Sequence, residues 1–170
     1  INAAHDGELK GLYIMGENPA MSDPDQNHAR EALANLDFLV VQDIFPTETS
    51  SFADVILPAS AWPEKDGTVT NTDRKVQIGR KAVPMPGDAK QDWWIIKEIG
   101  VRMGLNWNYD SPKEIFNEMK NVMPSLNGIT WERLEKENSV TYPCKDEFSE
   151  GSELLFKDGF PTHNGKGKMT

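Results

Sequence analysis

The sequence predicts an α/β fold: an open, mostly parallel, doubly wound sheet of the Rossmann or flavodoxin-like kind, with helices on both faces and an irregular C-terminal extension. Two observations carry that expectation. Three short apolar runs, Leu12-Tyr-Ile-Met15, Phe38-Leu-Val-Val41 and Val55-Ile-Leu57, are separated by segments with helical spacing, giving a β-α-β-α-β order. Each run also stops abruptly at polar or turn-forming residues, Gly16-Glu17-Asn18-Pro19, Gln42-Asp43 and Pro58, as buried strands do where they leave a sheet.

Taken in order, the first run leads to a helix whose start is predicted at Ser22. Asp25 three positions on completes a capping box, Pro24 suits the first turn, and Ala29, Ala32, Leu33 and Leu36 form the apolar stripe. Phe38 to Val41 shows no polar alternation, which predicts a parallel strand covered on both faces. A helical turn from Glu48 to Phe52 leads to the third strand. Lys75 to Val83 is expected to be extended, and Asp92 to cap a helix reaching Met103, with Trp93, Ile96, Ile99 and Met103 inward and Gly104 as its stop. Ser111-Pro-Lys-Glu114 is a second capping box, opening a helix to Val122 with Ile115, Phe116, Met119 and Val122 on its inner face and Pro124 beyond its end. Trp131 to Lys136 reads as one or two helical turns, whereas 141–151 and 159–170 read as loop. The expected organisation is an α/β domain over 1–124 and a C-terminal extension over 125–170 leading into a neighbouring domain.

Composition narrows the functions. A chain of 170 residues, 38% hydrophobic with five Trp, holds one good core. Its net charge of −9 argues against a nucleic-acid surface, which needs clustered Lys and Arg. Cys144 is the only cysteine, and His5, His28 and His163 are scattered, so no metal site and no internal disulfide is expected. No apolar run approaches the roughly 20 residues of a membrane span, and the first residues carry no signal-peptide pattern; a cytoplasmic location without membrane contact is the expectation. Ile1 at the start and the tail HNGKGKMT read as the ends of a fragment, one expected to be inactive alone.

The richest polar segment is Ala53 to Gln77. After Val55-Ile-Leu57 and Pro58, it places Glu64, Lys65, Asp66, Asn71, Asp73, Arg74 and Lys75 around Gly67, a loop too polar for a core. In open α/β sheets, ligands lie outside the carboxyl ends of the strands. Strand one delivers Glu17 and Asn18 there, strand two Gln42 and Asp43, and strand three the loop with Lys65. Helix N-termini expected near Ser22 and Asp92 would present free N–H groups to phosphate. A carboxylate accepts two parallel N–H bonds, which matches the N1 and N2 edge of guanine, and Lys65 balances pyrophosphate charge. These parts suit a nucleoside diphosphate. Neither G-x-G-x-x-G nor a P-loop is present.

Longer stretches add a resemblance. MGENP, LVVQDIFPTETSSFADVILPA, WPEKDGTVTNTDRKVQ and PGDAKQDWWIIKEIGVRMG, with Tyr142-Pro-Cys144 and Gly151-Ser152, resemble molybdopterin oxidoreductases of the dimethyl sulfoxide reductase type, formate dehydrogenase catalytic (alpha) subunits above all. The resemblance implies a bis-molybdopterin guanine dinucleotide cofactor carrying molybdenum or tungsten, and a segment equivalent to the third domain, which grips one dinucleotide. It implies cofactor-binding roles for Asn18, Gln42, Asp43, Lys65 and Asp92, and Ser22 joins them through its helix N-terminus. It further implies a parent oxidoreductase that oxidises formate and carries an iron–sulfur cluster outside this segment. The implied partners are the parent's remaining domains and electron-transfer subunits. No catalytic residue and no metal ligand is assigned here, and Cys144 reads as a buried structural thiol. Other readings stay open: a related enzyme such as a nitrate reductase, a free-standing nucleotide-binding module, or an interaction domain. So do structural roles, with Asp92 and Ser22 as helix caps, Asn18 as a turn residue, and Trp62, Trp93 and Trp94 as core.

Overall fold

The computed structural model describes residues 1–169; Thr170, the last residue of the expected extension, lies outside them. The chain divides into two compact units, one comprising 1–65 and 81–108 and the other 66–80 and 109–170. The first holds the parallel sheet. Its elements are α1 (Asn2–His5), β1 (Gly11–Met15), α2 (Pro19–Ser22), α3 (Gln26–Ala34), β2 (Phe38–Asp43), a 3-10 turn at Thr49–Phe52, β3 (Val55–Pro58), a second 3-10 turn at Trp62–Glu64 and α4 (Asp92–Arg102).

The three strands pair in parallel in the order β1-β2-β3, with Met15 opposite Gln42 and Gln42 opposite Leu57. Because side chains alternate, Ile14, Leu39 and Val41 share one face. They pack there with Ala20 and Leu33, flanked by Leu12, Leu36, Phe52 and Ala53. This is the expected α/β architecture. The expected coverage of β2 on both faces holds only in part: Leu39 and Val41 are buried on one face, while on the other Phe38 is 51% exposed, Val40 half-buried and Gln42 fully buried.

Two helix starts also differ from expectation. Pro24 drives the residue before it out of the helical region; Asp23 is extended at φ −67° and ψ 138°, so α2 ends at Ser22. The cap of α3 passes to Asp25, whose Oδ1 accepts from the His28 N–H at 3.1 Å. Ser22 therefore closes a short helix instead of capping a long one. In α4 the N-cap is Gln91, and Asp92 is the first helical residue, where a carboxylate is favoured by the helix dipole. Its buried positions are Ile95 and Gly100, not the expected stripe through Ile96 and Met103, and Met103 is 77% exposed. Gly100 explains the rotation: a Cβ there would lie 2.4 Å from the Trp107 ring, so the indole packs directly on helix backbone.

The second unit contains β4 (Gly67–Thr70), β5 (Lys75–Gly79), α5 (Pro112–Val122), a 3-10 turn at Pro124–Leu126, α6 (Trp131–Glu137) and β6 (Ser139–Thr141). Its strands form an antiparallel sheet, β4-β5-β6. The polar stretch 67–77, expected to be loop and, from Lys75, extended, is largely a hairpin, and the extended segment expected from Lys75 is β5, which ends at Gly79. Its turn is set by Asn71, whose Oδ1 accepts from the Lys75 N–H at 2.8 Å, and by Arg74 at φ 65°. Val76 is buried in this unit's core with Phe116, Leu126, Ile129, Trp131, Leu134, Val140 and Cys144, so the segment does reach a core. Residues 139–141, partly assigned to loop, are β6. The Arg74 guanidinium donates to the carbonyls of Tyr142 (2.7 Å), Ser152 (2.8 Å) and Glu153, ordering the irregular chain that follows. Ser111 caps α5 as expected, accepting from the Glu114 N–H at 3.4 Å. Val122, expected inward, is 76% exposed at the end of α5.

The sheet packing yields a direct test. Leu39→Ala is expected to lower the unfolding free energy by about 2–5 kcal/mol, and Phe38→Ala, at the exposed start of the same strand, by clearly less. Urea unfolding of the two variants, followed by circular dichroism, measures the difference.

Candidate functional site

A cavity of about 440 Å³ opens within the first unit at the carboxyl ends of the parallel strands, lined by Met15, Gly16, Gln42, Asp43, Ile44, Ala59, Ser60, Ala61, Trp62, Lys65 and Asp92. Its geometry depends on chain continuing past β3. The Ala59 N–H donates to the Asp43 carbonyl at 2.9 Å, and Ala59 pairs in parallel with Lys90. Lys90 N–H donates to the Pro58 carbonyl at 3.0 Å, and Ser60 N–H to the Lys90 carbonyl at 2.9 Å. This short pairing sets the start of α4, and with it Asp92, beside the strand ends.

Gln42 is fully buried and connected on both sides. Tyr13 lies on the same face, one pleat from the Met15 opposite Gln42, and its hydroxyl donates to Gln42 Oε1 in a short contact. Gln42 Nε2 donates to Asp92 Oδ1 at 2.7 Å. A carboxylate only accepts, so Asp92 dictates which way the Gln42 amide faces. The other Asp92 oxygen takes a short ion pair from Lys65 Nζ, which also donates to the Ser60 carbonyl at 2.9 Å. Lys65 comes within reach because the chain turns at Trp62–Glu64, where the Glu64 carboxylate accepts from the Ala61 N–H at 2.8 Å. Asp43 is half-buried and accepts from the Ile44 N–H at 2.7 Å. Burial pushes the Tyr13 phenol up, and the Asp92 charge pushes it further in the same direction.

Of the residues expected at the site, Gln42, Asp43, Lys65 and Asp92 meet at this cavity, whereas Asn18 and Ser22 are not among its lining residues. Asn18 ties two connections together: Oδ1 accepts from Thr49 N–H at 3.1 Å and Thr49 Oγ1 at 2.7 Å, and Nδ2 donates to Glu48 at 2.7 Å. That bond holds the Glu48 carboxyl below its ordinary pKa. Ser22 has no helix N-terminus to lend. Trp62, expected in the core, is 77% exposed and lines the cavity. Tyr13 and Ser60 were not legible as site residues: one looks like an ordinary strand aromatic and the other a small residue between alanines. The available signal was position, since Ser60 lies two residues past β3, at the carboxyl end of the sheet.

The fold and the cavity together define an α/β domain with a polar-lined cavity at the carboxyl ends of its parallel strands. A model of the molybdopterin oxidoreductase family matches residues 1–102, and the chain belongs to that family. It is 54% identical over 163 residues to the F420-dependent formate dehydrogenase subunit alpha of Methanocaldococcus jannaschii, covering 95% of this chain and 24% of that protein. It is 48% identical over 165 residues to the F420-dependent formate dehydrogenase 2 subunit alpha of Methanococcus maripaludis, covering 96% of this chain and 24% of that protein. The chain thus spans about a quarter of the length of these relatives (24%). The solved structure of acetylene hydratase from Pelobacter acetylenicus superposes with a TM-score of 0.69 at 24% identity, over 97% of this chain and 22% of that one, a likeness of fold. Among the described residues no helix is long and apolar enough to cross a membrane.

Membership in the family implies a molybdopterin cofactor, and the residues at the cavity fit such a group. Lys65 offers an ammonium to phosphate, Asp43 and Asp92 offer carboxylates to N–H donors, and the buried Ser60 Oγ has no hydrogen-bond partner.

One expected outcome tests the network. Asp92→Asn removes the charge that raises the Tyr13 pKa, so the phenol is expected to titrate closer to its ordinary 10.0 while staying above it, because burial is the larger cause. Ring-carbon NMR of Tyr13 across alkaline pH reads the shift; an unmoved titration would contradict the effect of the Asp92 charge on Tyr13.

Proposed function

We propose that this chain is the part of a formate dehydrogenase catalytic subunit that grips one guanosine dinucleotide of a bis-molybdopterin cofactor. The observation that carries the reading is the meeting of Gln42, Asp43, Lys65 and Asp92 on one cavity at the carboxyl ends of parallel strands, in a chain whose relatives are formate dehydrogenase alpha subunits. Lys65 answers phosphate charge, Asp43 and Asp92 present acceptors to the guanine edge, and Gln42 is oriented by Tyr13 and Asp92. When bound, the cofactor supplies two-electron chemistry at molybdenum or tungsten, by which the parent enzyme oxidises formate to carbon dioxide. This chain's residues bind and orient. Ala59 and Ala61 line the same cavity, and the partial burial of Lys65 and Asp92 strengthens their pairing relative to a fully exposed one. Iron–sulfur centres and electron-transfer subunits belong, on this reading, to the rest of the parent and its partners.

The test is made on the full-length protein. Purified enzyme is expected to contain molybdenum or tungsten together with guanine nucleotide. Asp43→Ala and Asp92→Ala are each expected to weaken cofactor retention by about ten- to a hundredfold, the loss of one charge-assisted hydrogen bond, while the loaded fraction keeps its formate KM. Full metal content combined with a raised KM would refute the assignment.

A further inference from the structure

The Ser60 hydroxyl is buried without a hydrogen-bond partner among the described residues. Its residue is 1% exposed. Buried hydroxyls are nearly always hydrogen-bonded, since an unmade bond leaves the desolvation cost uncompensated. The backbone of Ser60, in contrast, is fully engaged: its N–H donates to the Lys90 carbonyl at 2.9 Å, and its carbonyl accepts from Lys65 Nζ at 2.9 Å. The residue is pinned by its main chain, and only the side chain is free to turn. It lines the cavity between Ala59 and Ala61, neither of which offers a polar side chain.

We propose that the Ser60 hydroxyl is a further binding group of this cavity, donating to a phosphate oxygen of the nucleotide beside the Lys65 ammonium. The inference rests on the nucleotide-gripping reading above and adds a contact to it. The Lys65–Ser60 bond places an ammonium next to the residue that carries the hydroxyl. A lysine ammonium has three donors, and two are given to Asp92 and the Ser60 carbonyl, so its third and the serine O–H remain as two neighbouring donors. Two adjacent donors select an anionic oxygen over a ring nitrogen edge, which needs a donor–acceptor pair. A serine χ1 has three staggered wells, so the hydroxyl can reorient while the pinned backbone stays in place.

The experiment titrates cofactor-free full-length protein with GDP and with guanosine by calorimetry, in the native form and as Ser60→Ala, with melting temperatures recorded without ligand. Loss of one hydrogen bond to phosphate is expected to weaken GDP binding about tenfold, leave guanosine binding unchanged, and leave the ligand-free variant melting no lower than the native protein. Equal GDP affinity in the two forms overturns the role of Ser60 and leaves the nucleotide reading standing. A lowered melting temperature with equal losses on both ligands makes Ser60 a structural residue and overturns the proposal. Native protein that binds neither ligand overturns both readings.

Discussion

The short parallel pairing between Ala59 and Lys90 is the contact on which the site depends. It adds the segment before α4 to the end of the sheet, and so places Asp92 within reach of Gln42 and Lys65. Those residues are separated by tens of positions in the chain. No local preference brings them together; backbone hydrogen bonds at the strand ends do. An acidic residue in the first turn of α4 is stabilised by the helix dipole, and here that carboxylate is also held by an amide and an ammonium. Such charge-assisted bonds in a partly buried wall are stronger than their exposed equivalents, and they fix the orientation of Gln42 as well as the place of Lys65.

The polar wall is built from coupled groups. Tyr13, Gln42, Asp92, Lys65 and the Ser60 carbonyl form one continuous chain of hydrogen bonds. On the proposed reading, a ligand with phosphate and base would compete with the internal ion pair for Lys65 and Asp92, so part of its binding energy would replace contacts the protein already makes. Asn18 plays a different part. By joining the turn after β1 to Thr49 and Glu48, it fixes the connection between β2 and β3 and supports the sheet beneath the cavity.

Much of this was legible from the chain alone. The three apolar runs read as parallel strands because each is uninterruptedly apolar and ends at turn-forming residues, although β3 is largely exposed, with Ile56 at 51%. The carboxyl-end rule placed Glu17, Asn18, Gln42, Asp43 and Lys65 at one edge, an expected helix start added Asp92, and the family resemblance singled out Asn18, Gln42, Asp43, Lys65 and Asp92, of which all but Asn18 line the cavity. Ser22 misled because Pro24 satisfies a helix start and also forbids the helical conformation at Asp23, and the pattern does not say which effect wins. The segment 67–77 misled because its strands carry so many charges that the alternation is hidden; Val76 alone reaches the core.

The sequence by itself determined the fold class, the strand ends and the kinds of group available for binding, since those follow from local hydrophobic pattern and residue chemistry. Tertiary structure decided which of those groups face one another. It turned Asn18 inward to Thr49, put Trp62 on the cavity wall, and left the Ser60 hydroxyl without a partner, because these outcomes depend on strand register and on pairings between distant segments. Local sequence carries no record of such distances.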